Sequence, residues 1–504
     1  MSSEQLIYPI LLRDAPDWLG NLIQDSGVPV TYDGNSSGAD HFVMIINEKI
    51  ENESQDKRCL KIEWRSLLPD YSMPEKDIFR NLYFPRATCW YENGIELREN
   101  CISDSFRSNI IANLRKKLIA AGLPWVIYKH CPAHYHGIFN FRVDIDENQP
   151  EDWRRLIQAL SPMRGSTTWF LSMAAAVESP EIYDWLNDCD VNSHGFYHHI
   201  HQFDHKLNRL LMQKADNALK GRGFSVRGFA PPSGRYPEGL ASIASEMKYH
   251  FVAGLGDPNG NIPIRNAGGI WQINSLPVSE GLYLDLDISD AGVVVDGYLA
   301  IARRAIERRK PVLIYGHAER RLGRRTEIVE NLLERINLHE GLWNVSLSDY
   351  INWLEKRNQI KLEVSRPDDH SKELQFSWRH MLFQKSPAIH VEWHAESRTI
   401  NLSEIAGQRR ITLRSTEQTE FQEIENDARK AWLNINEKAD LKTWVKTFLD
   451  WERETPVRVL IKGGWRSRIK AVLRYLTDAG WKRKHKAREW TMTDGFSKEN
   501  SLAA

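Results

Sequence analysis

The sequence predicts an α/β protein with an incomplete (β/α) barrel at its centre and a smaller domain on each side. The barrel is indicated by short apolar runs, such as PWVIY and KPVLIYGH, which alternate with helical runs such as GYLAIARRAIERRK between about residue 105 and residue 363. Repeated strand-then-helix units are typical of a parallel sheet, and 504 residues are enough for roughly two to four domains. In barrels of this kind the chemistry lies at the carboxyl ends of the strands.

The first two predicted domains differ in their patterns of apolar and polar residues. Residues 1–104 are predicted to form a small α/β domain, because short apolar runs such as HFVMIINEKI are interrupted by polar, turn-rich stretches. Residues 105–363 are predicted to form the barrel domain. It opens with an amphipathic helix that Ser105 is expected to cap and that ends at Gly122.

The C-terminal domain, residues 374–504, is predicted to have an α+β fold and to follow a polar linker at Val364–Glu373. Three alternating runs, AIHVEWHA, RTINLS and RRITLRS, predict a meander of strands. Between Val457 and Arg488, eleven Lys and Arg stand against one acid, Asp478. This segment is interpreted either as a solvated helix face or as a dock for an anion, such as a sugar-nucleotide diphosphate, a lipid phosphate headgroup or a partner.

The overall composition excludes several classes of protein. Lys and Arg together number 67, as do Asp and Glu, so the whole chain lacks the positive footprint of a nucleic-acid-binding protein. No segment approaches the roughly 18 to 20 apolar residues of a membrane span, and the N-terminus lacks a signal-peptide pattern. The five cysteines are widely spaced and include no CxxC pair, which is typical of reduced thiols. We therefore expect a cytoplasmic protein.

Two carboxylates are expected together at the end of one strand. The stretch GIFNFRVDIDEN alternates, so Asp144 and Asp146, two positions apart, should lie on the same face. A hydrolytic metal site takes a carboxylate and two imidazoles and keeps a position open for water, while a second carboxylate can serve as base. The pair therefore suits a metal-dependent hydrolase.

The imidazoles for such a site are concentrated in the stretch NSHGFYHHIH. His194 and His198 are at positions i and i+4. On a helical turn their Cβ atoms would lie about 5 to 6 Å apart on one face, and the two rings could bind one ion. His199, His201 and His205 supply other pairs, so the alternative interpretation is a solvated histidine-rich loop.

A second candidate cluster, HCPAHYH, offers Cys131, His134 and His136 as ligands. A closed structural zinc site needs four well-placed ligands. We therefore interpret this stretch as a loop that leads into the Asp144 strand.

The motifs follow one another in a characteristic order. An Asp-rich strand end is followed by SHGFYH, an apolar helix, the turn PPSG and the strand PVLIYGH. This order resembles that of the polysaccharide deacetylases of the NodB-homology class, carbohydrate esterase family 4, over roughly residues 130–350. The resemblance implies a NodB-like deformed (β/α) barrel and a bound Zn²⁺ or another divalent transition metal.

The resemblance also implies roles for the residues of the first two motifs. Asp144 resembles the catalytic base, and Asp146 resembles the carboxylate that binds the metal. The two are separated by one residue, whereas the family more often has an adjacent pair. His194 and His198 resemble the two imidazole ligands.

The later motifs resemble the remaining parts of the family's active site. In PPSG the backbone N–H of Ser233 would help to bind the oxyanion, and His317, at the end of PVLIYGH, would protonate the leaving amine. Asp290 resembles the residue that orients this histidine, although Ala291 stands where the family has Trp.

A further departure concerns the residue that orients the base. The family has an Arg directly before the Pro pair, and this sequence has Ala230 there. Arg227 and Arg235 lie near this position, and both are candidates to replace the missing Arg.

The sequence therefore predicts a metal-dependent hydrolase that removes an N-acetyl group from an amino-sugar substrate, with an intracellular precursor favoured over finished polymer. One alternative is a hydrolase of another non-peptide C–N bond. Another is a non-catalytic glycan-binding or scaffold protein on a degraded deacetylase fold. Ala230 and Ala291 favour this last alternative, and the retained Asp and His residues oppose it.

Overall fold

A computed structural model describes residues 5–32, 43–47, 59–84, 86–92, 95–201, 203–237, 239–257, 260–266, 268–276, 290–337, 341–366, 373–378, 383–393, 396–405, 409–412, 468–469 and 472–473. The predicted basic segment therefore lies almost entirely outside the described residues, as do residues 277–289 before Asp290.

The first hundred residues have the predicted α/β character. Their elements are β1 Gln5–Tyr8, β2 Ile10–Arg13, α1 Asp17–Asp25, β3 Val30–Tyr32, β4 Val43–Ile46, β5 Leu60–Glu63, α2 Glu75–Tyr83, β6 Arg86–Glu92 and β7 Ile95–Cys101. The strands β2 to β5 form a parallel sheet in the order β3-β2-β4-β5, and β6 and β7 form an antiparallel hairpin. Helix α1 buries Leu19, Leu22 and Ile23, whose helical spacing places them on one face.

The middle of the chain alternates strands and helices as the sequence predicts. Its elements are α3 Ser105–Ala120, β8 Trp125–Tyr128, β9 Gly137–Ile145, α4 Pro150–Ala159, β10 Thr168–Leu171, α5 Met173–Ala176, α6 Glu181–Trp185, β11 Asp190–Ser193, α7 His205–Lys220, β12 Gly228–Phe229, α8 Leu240–Glu246, β13 Phe251–Leu255, β14 Ile264–Arg265, β15 Trp271–Ser275, α9 Ala291–Glu307, β16 Val312–His317, α10 Thr326–Asn337, β17 Leu342–Asn344 and α11 Leu347–Asn358.

Except for β8, these strands form a curled, mostly parallel sheet in the order β14-β15-β13-β12-β11-β10-β9-β16, with β17 paired to the start of β9. The sheet curls so that β15, next to one end, approaches β16 at the other. The N–H of Leu276, just after β15, donates to the carbonyl of Leu313 in β16 at 2.6 Å. The predicted fold class, an α/β protein built on a deformed barrel, is confirmed.

Strand β9 has two different faces. Phe141, Val143 and Ile145 belong to the largest apolar core. Because side chains alternate along a strand, the residues between them, Arg142 and Asp144, point to the opposite side. Arg142 contacts carbonyl groups of β13, so this second face lines the barrel interior.

The last described strands are β18 Leu362–Arg366, β19 Glu373–Trp378, β20 Ala388–Trp393, β21 Glu396–Asn401 and β22 Arg409–Thr412. The predicted linker was wrong at its start, because Val364 pairs with Phe376 and Ser365 with Gln375 in an antiparallel sheet. The predicted meander was wrong in its third strand, since β22 pairs with β19 and not with β21.

Strand pairing also connects the three segments. Strand β1 pairs with β18, and β20 pairs with β8. One apolar core contains residues from the N-terminal unit, from α3 and β8, and from the last strands. The division into domains at 1–104, 105–363 and 374–504 stays a prediction, and backbone hydrogen bonds cross both of its boundaries. Among the described helices, none has an apolar stretch long enough to cross a membrane.

Candidate metal centre and its surroundings

The candidate site lies at the carboxyl ends of the central strands. Asp144 is near the end of β9, and His317, the last residue of β16, is opposite it in the parallel register. His194 directly follows β11. Since the carboxyl ends of parallel strands lie at the same end of the barrel, side chains distant in sequence meet there.

The predicted metal ligands are brought together. Nε2 of His194 lies 3.2 Å from Oδ1 of Asp146, and Nε2 of His198 lies 3.5 Å from Oδ2 of the same carboxylate. All three residues are buried. A tetrahedral zinc ion with ligands at its usual bond lengths would separate them by about 3.3 Å, so these spacings suit one such ion.

Two atoms of this trio also lack a hydrogen-bond partner. Apart from their 3.2 Å contact with each other, Nε2 of His194 and Oδ1 of Asp146 are buried without one in the described part of the chain. Buried polar atoms are normally satisfied, so a shared ion would account for both. Nδ1 of His194 lies 2.7 Å from the carbonyl oxygen of Ala230. This hydrogen bond places the ring proton on Nδ1 and leaves Nε2 available as a ligand. The donor set therefore fits a divalent metal.

The histidine segment is not the helical turn that the i, i+4 spacing suggests. It is an irregular loop in which Gly195 has φ +84° and the N–H of His199 bonds to the carbonyl of Tyr197. A left-handed residue directly after His194 is incompatible with an α-helix. The loop nevertheless brings the rings of His194 and His198 to a centroid distance of 4.9 Å.

Burial alone would raise the pKa of Asp146. The histidines His198, His194 and His317 around it outweigh this effect and hold its pKa well below the ordinary value. Asp146 is therefore a carboxylate, the form that binds a metal ion.

Asp144 is held by an arginine on its own strand. Nε and Nη2 of Arg142 donate to Oδ1 and Oδ2 of Asp144 at 2.7 and 2.6 Å, and both side chains are buried. The guanidinium also lies over the rings of Phe170 and Tyr315, at 4.9 and 5.5 Å from their centroids. Burial would raise the pKa of Asp144, but Arg142 and His194 keep it below its usual value.

The expectation that Arg227 or Arg235 replaces the Arg missing at Ala230 was wrong, because Arg142 already occupies both carboxylate oxygens of Asp144. A signal for this was present in FRVDID. Arg142 lies two residues before Asp144 and therefore shares its strand face.

His317 also faces the site, with its buried Nε2 3.6 Å from Oδ2 of Asp146. Two residues later, Glu319 was missed by the sequence reasoning. Its Oε1 accepts hydrogen bonds from the N–H of Asp146 at 3.0 Å and from the indole of Trp153 at 2.9 Å. Burial, together with the charge of Asp146, raises the pKa of Glu319 to about 8.

The two remaining predicted residues are on the surface. Ser233 lies in the turn Pro232–Gly234 with φ 57° and ψ 25°, and its side chain is exposed. Asp290 is also exposed and caps α9 by accepting a hydrogen bond from the N–H of Gly292 at 2.8 Å. Its proposed effect on His317 stays a prediction.

The second histidine cluster has a different arrangement. The thiol of Cys131 donates to the carbonyl of Tyr135 at 3.1 Å. Within the described residues, the Asp146 trio is close enough together to hold one metal ion, and His134 and His136 are not part of such a group.

No family model matches the sequence, and no curated protein sequence matches it. Solved structures do resemble it. A polysaccharide deacetylase from Mycobacterium smegmatis matches with 15% identity and a TM-score of 0.39, over 45% of this chain and 93% of that one. A family 4 carbohydrate esterase from Streptomyces lividans, in complex with acetate, matches with 15% identity and a TM-score of 0.31, over 42% and 92%.

A family 4 pseudoenzyme from Bacillus anthracis also matches, with 16% identity and a TM-score of 0.32, over 45% of this chain and 68% of that one. The matching structures thus include an enzyme with acetate bound and a protein without its family's activity.

Proposed function

We propose that this protein is a metal-dependent hydrolase that removes the acetyl group from an N-acetylated amino sugar. The observation that carries the proposal is the buried Asp146–His194–His198 trio next to a carboxylate, Asp144, that an arginine keeps charged. These are the parts that hydrolysis of an amide requires: a metal site, a base and, in His317, an acid.

Asp146, His194 and His198 would hold the ion. When bound, the ion would supply a Lewis acid that polarises the amide carbonyl and makes a water molecule more acidic. Three protein ligands leave room in the coordination sphere for water or substrate, as catalytic zinc sites do.

Asp144 would take the proton of the attacking water. Arg142 favours this role in two ways, because it keeps the carboxylate deprotonated and holds it in one orientation. Oδ2 of Asp144 lies 3.9 Å from Nε2 of His194, so the base is directly beside the metal ligands.

His317 would donate its proton to the leaving nitrogen. Its Nε2 faces the same carboxylate of Asp146 as His194 and His198 do, from the carboxyl end of the neighbouring strand β16. The backbone N–H of Ser233 would stabilise the negative charge that develops on the carbonyl oxygen.

The contact between Arg142 and Asp144 also bears on the alternative of a degraded, non-catalytic domain. Ala230 favoured this alternative because the family's arginine is missing there. An arginine is nevertheless paired with the base. Although Ala230 stands where the family has its arginine, a guanidinium, that of Arg142, still pairs with the proposed base.

The test is metal analysis of protein purified without added metal, followed by an acetate-release assay. The substrates are free, nucleotide-linked and oligomeric N-acetyl amino sugars, with a cyclic amide to represent other C–N bonds. We expect about one divalent ion per chain and release of acetate from at least one of the sugars. In His194→Ala both should be lost, because losing one of three ligands weakens an open site severely. In His205→Ala, which changes an exposed histidine near the same loop, both should remain.

Stoichiometric metal without hydrolysis of any acetylated sugar would reject the deacetylase proposal. Cleavage of the cyclic amide alone would favour the hydrolase of another C–N bond. A wild-type protein that binds no divalent ion would reject the metal site itself.

A further inference from the structure

We propose that Glu319 is a positioning residue that holds the metal-binding end of β9 against the strand end that carries His317. The inference rests on the proposed function in one respect, namely that Asp146 binds a metal ion. It adds a residue that none of the sequence motifs contains.

Glu319 receives an unusual set of donors on a single oxygen. The side chain is 2% exposed. Its Oε1 accepts from the N–H groups of Asp146 at 3.0 Å and Glu147 at 3.3 Å, and from the indole N–H of Trp153 at 2.9 Å. Within the described residues its second oxygen, Oε2, is buried without a hydrogen-bond partner. These three hydrogen bonds of the carboxyl group are thus all made by Oε1.

The two backbone donors, Asp146 and Glu147, lie just beyond the end of the β9 strand pairing. Strand β9 ends at Ile145, and its last pair with β16 joins Asp144 to His317. The buried N–H groups beyond this point need an acceptor that the neighbouring strand does not provide. Glu319 supplies one, so it continues the connection between the two chain segments after the backbone pairing stops.

The consequence concerns the direction of the Asp146 carboxylate. The side chain of a metal ligand can reach the ion only if its backbone is held in the matching orientation, and residues that orient ligands strongly affect metal affinity. Glu319 contacts the backbone of Asp146 and is two residues from His317. One side chain therefore sets the position of the ligand relative to the proposed acid.

The experiment compares zinc affinity with stability. Zinc dissociation constants are measured by competition with a chelator for the wild type, Glu319→Ala and Glu319→Gln, and Tm is measured on each metal-free protein. Glu319→Ala should bind zinc about 10- to 100-fold more weakly. Glu319→Gln keeps an acceptor oxygen and should recover most of this affinity.

Asp190→Ala is the matched control. Asp190 also accepts several hydrogen bonds, from Thr168, Asn192 and Ser348, but it lies at the amino end of β11, away from the site. Loss of the Asp190 side chain should lower Tm, while the zinc dissociation constant stays near that of the wild type. The control thereby separates general destabilisation from misplacement of the ligand.

Wild-type zinc affinity in Glu319→Ala would overturn the inference, as would an equal loss of affinity in Asp190→Ala. Failure of Glu319→Gln to recover affinity would also overturn it, since the hydrogen-bond acceptor would then not be what matters. In each of these cases, zinc binding and acetate release by the wild type would leave the proposed function standing. A wild-type protein that binds no zinc would remove the proposed function and this inference with it.

Discussion

At the scale of the residue, the charge of Asp144 depends on a side chain two positions earlier in the same strand. Burial by itself would favour the protonated acid, and the paired guanidinium of Arg142 reverses this preference. Asp146, on the other side of Ile145, is surrounded by imidazoles instead. Two carboxylates that are almost adjacent in sequence thus have different partners and can have different tasks.

The two carboxylates should therefore separate experimentally. Asp144→Asn should keep the metal ion and lose roughly 10²- to 10⁴-fold in kcat, the contribution of a positioned general base. Asp146→Asn should lose metal and activity together and recover in part at high metal concentration. Metal content and kcat of both variants provide the test. Loss of the ion from Asp144→Asn but not from Asp146→Asn would show that the roles are reversed.

The pairing of Arg142 with Asp144 predicts a pH dependence. Because the pKa of Asp144 is held below its usual value, Asp144 in the wild type should stay deprotonated, and available as base, to a lower pH than an ordinary carboxyl group. In Arg142→Gln, the effect of burial is opposed only by the neighbouring histidines, so the acid limb of kcat/KM should move to higher pH. Arg142→Lys retains a positive charge and should show a smaller shift. Identical acid limbs in all three proteins would contradict the assignment.

The same pair has a consequence for stability. A carboxyl group whose pKa is lower in the folded state stabilises the protein above the unfolded pKa, and this contribution disappears as the pH falls through the folded value. The wild type should therefore keep the contribution of Asp144 above the unfolded pKa and lose it as the pH falls from that value through the lower folded pKa.

At the scale of the element, helix α7 anchors the histidine loop that precedes it. Asp204 caps the helix by accepting from the N–H of Leu207 at 2.9 Å. One turn later, Asn208 bonds to both backbone groups of His201, accepting from its N–H at 2.8 Å and donating to its carbonyl at 2.7 Å. An irregular loop has no ladder or helical bonds of its own, so the conformation that presents His194 and His198 depends on such anchors.

Asn208→Ala should therefore lower both stability and metal affinity. Removing the buried amide breaks both of its hydrogen bonds to the backbone of His201, at a cost of about 2 kcal/mol in the free energy of unfolding. A looser loop should also weaken zinc binding. Asn217→Ala, which removes an exposed amide from the same helix, should change neither. Denaturant unfolding and zinc titration of the two variants check this, and equal values for both would contradict the anchoring role.

At the scale of the whole molecule, a buried carboxylate joins segments that are far apart in sequence. Asp25, at the end of α1, accepts from the backbone N–H of Arg265 at 2.7 Å, from its Nε at 3.0 Å and from the amide of Asn358 at 2.7 Å. Arg265 belongs to the edge strand of the barrel and Asn358 to its last helix. The N-terminal unit is thereby attached to the barrel by polar contacts as well as by the shared apolar core.

Asp25→Ala should consequently destabilise the whole protein. Breaking a buried ion pair leaves Arg265 and Asn358 without their acceptor and costs about 3 kcal/mol. Asp25→Asn retains an acceptor and should cost less. The measurement is denaturant unfolding, followed by the intrinsic fluorescence of tryptophans in both parts. A change below about 1 kcal/mol in Asp25→Ala would show that the contact does not hold the units together.

The local patterns of the sequence determined much of this protein. Periodicity indicated the alternating strands and helices of the barrel, and the spacing of Asp144 and Asp146 indicated that both carboxylates would meet the imidazoles. These are properties of a single strand or loop, and the identity of neighbouring residues is enough to read them. The order of the motifs then pointed to the fold that the structure shows.

Only the tertiary structure decided which distant groups meet. The register of β16 beside β9 places Glu319 under the backbone of Asp146, and curling of the sheet brings Arg142 to the carbonyls of β13. Likewise, β18 and β20 read as ordinary strands, but nothing in their own residues shows that they pair with β1 and β8. The physical reason is that hydrogen bonding between strands uses backbone groups, which are the same in every residue, so the choice of partner depends on how the whole chain packs.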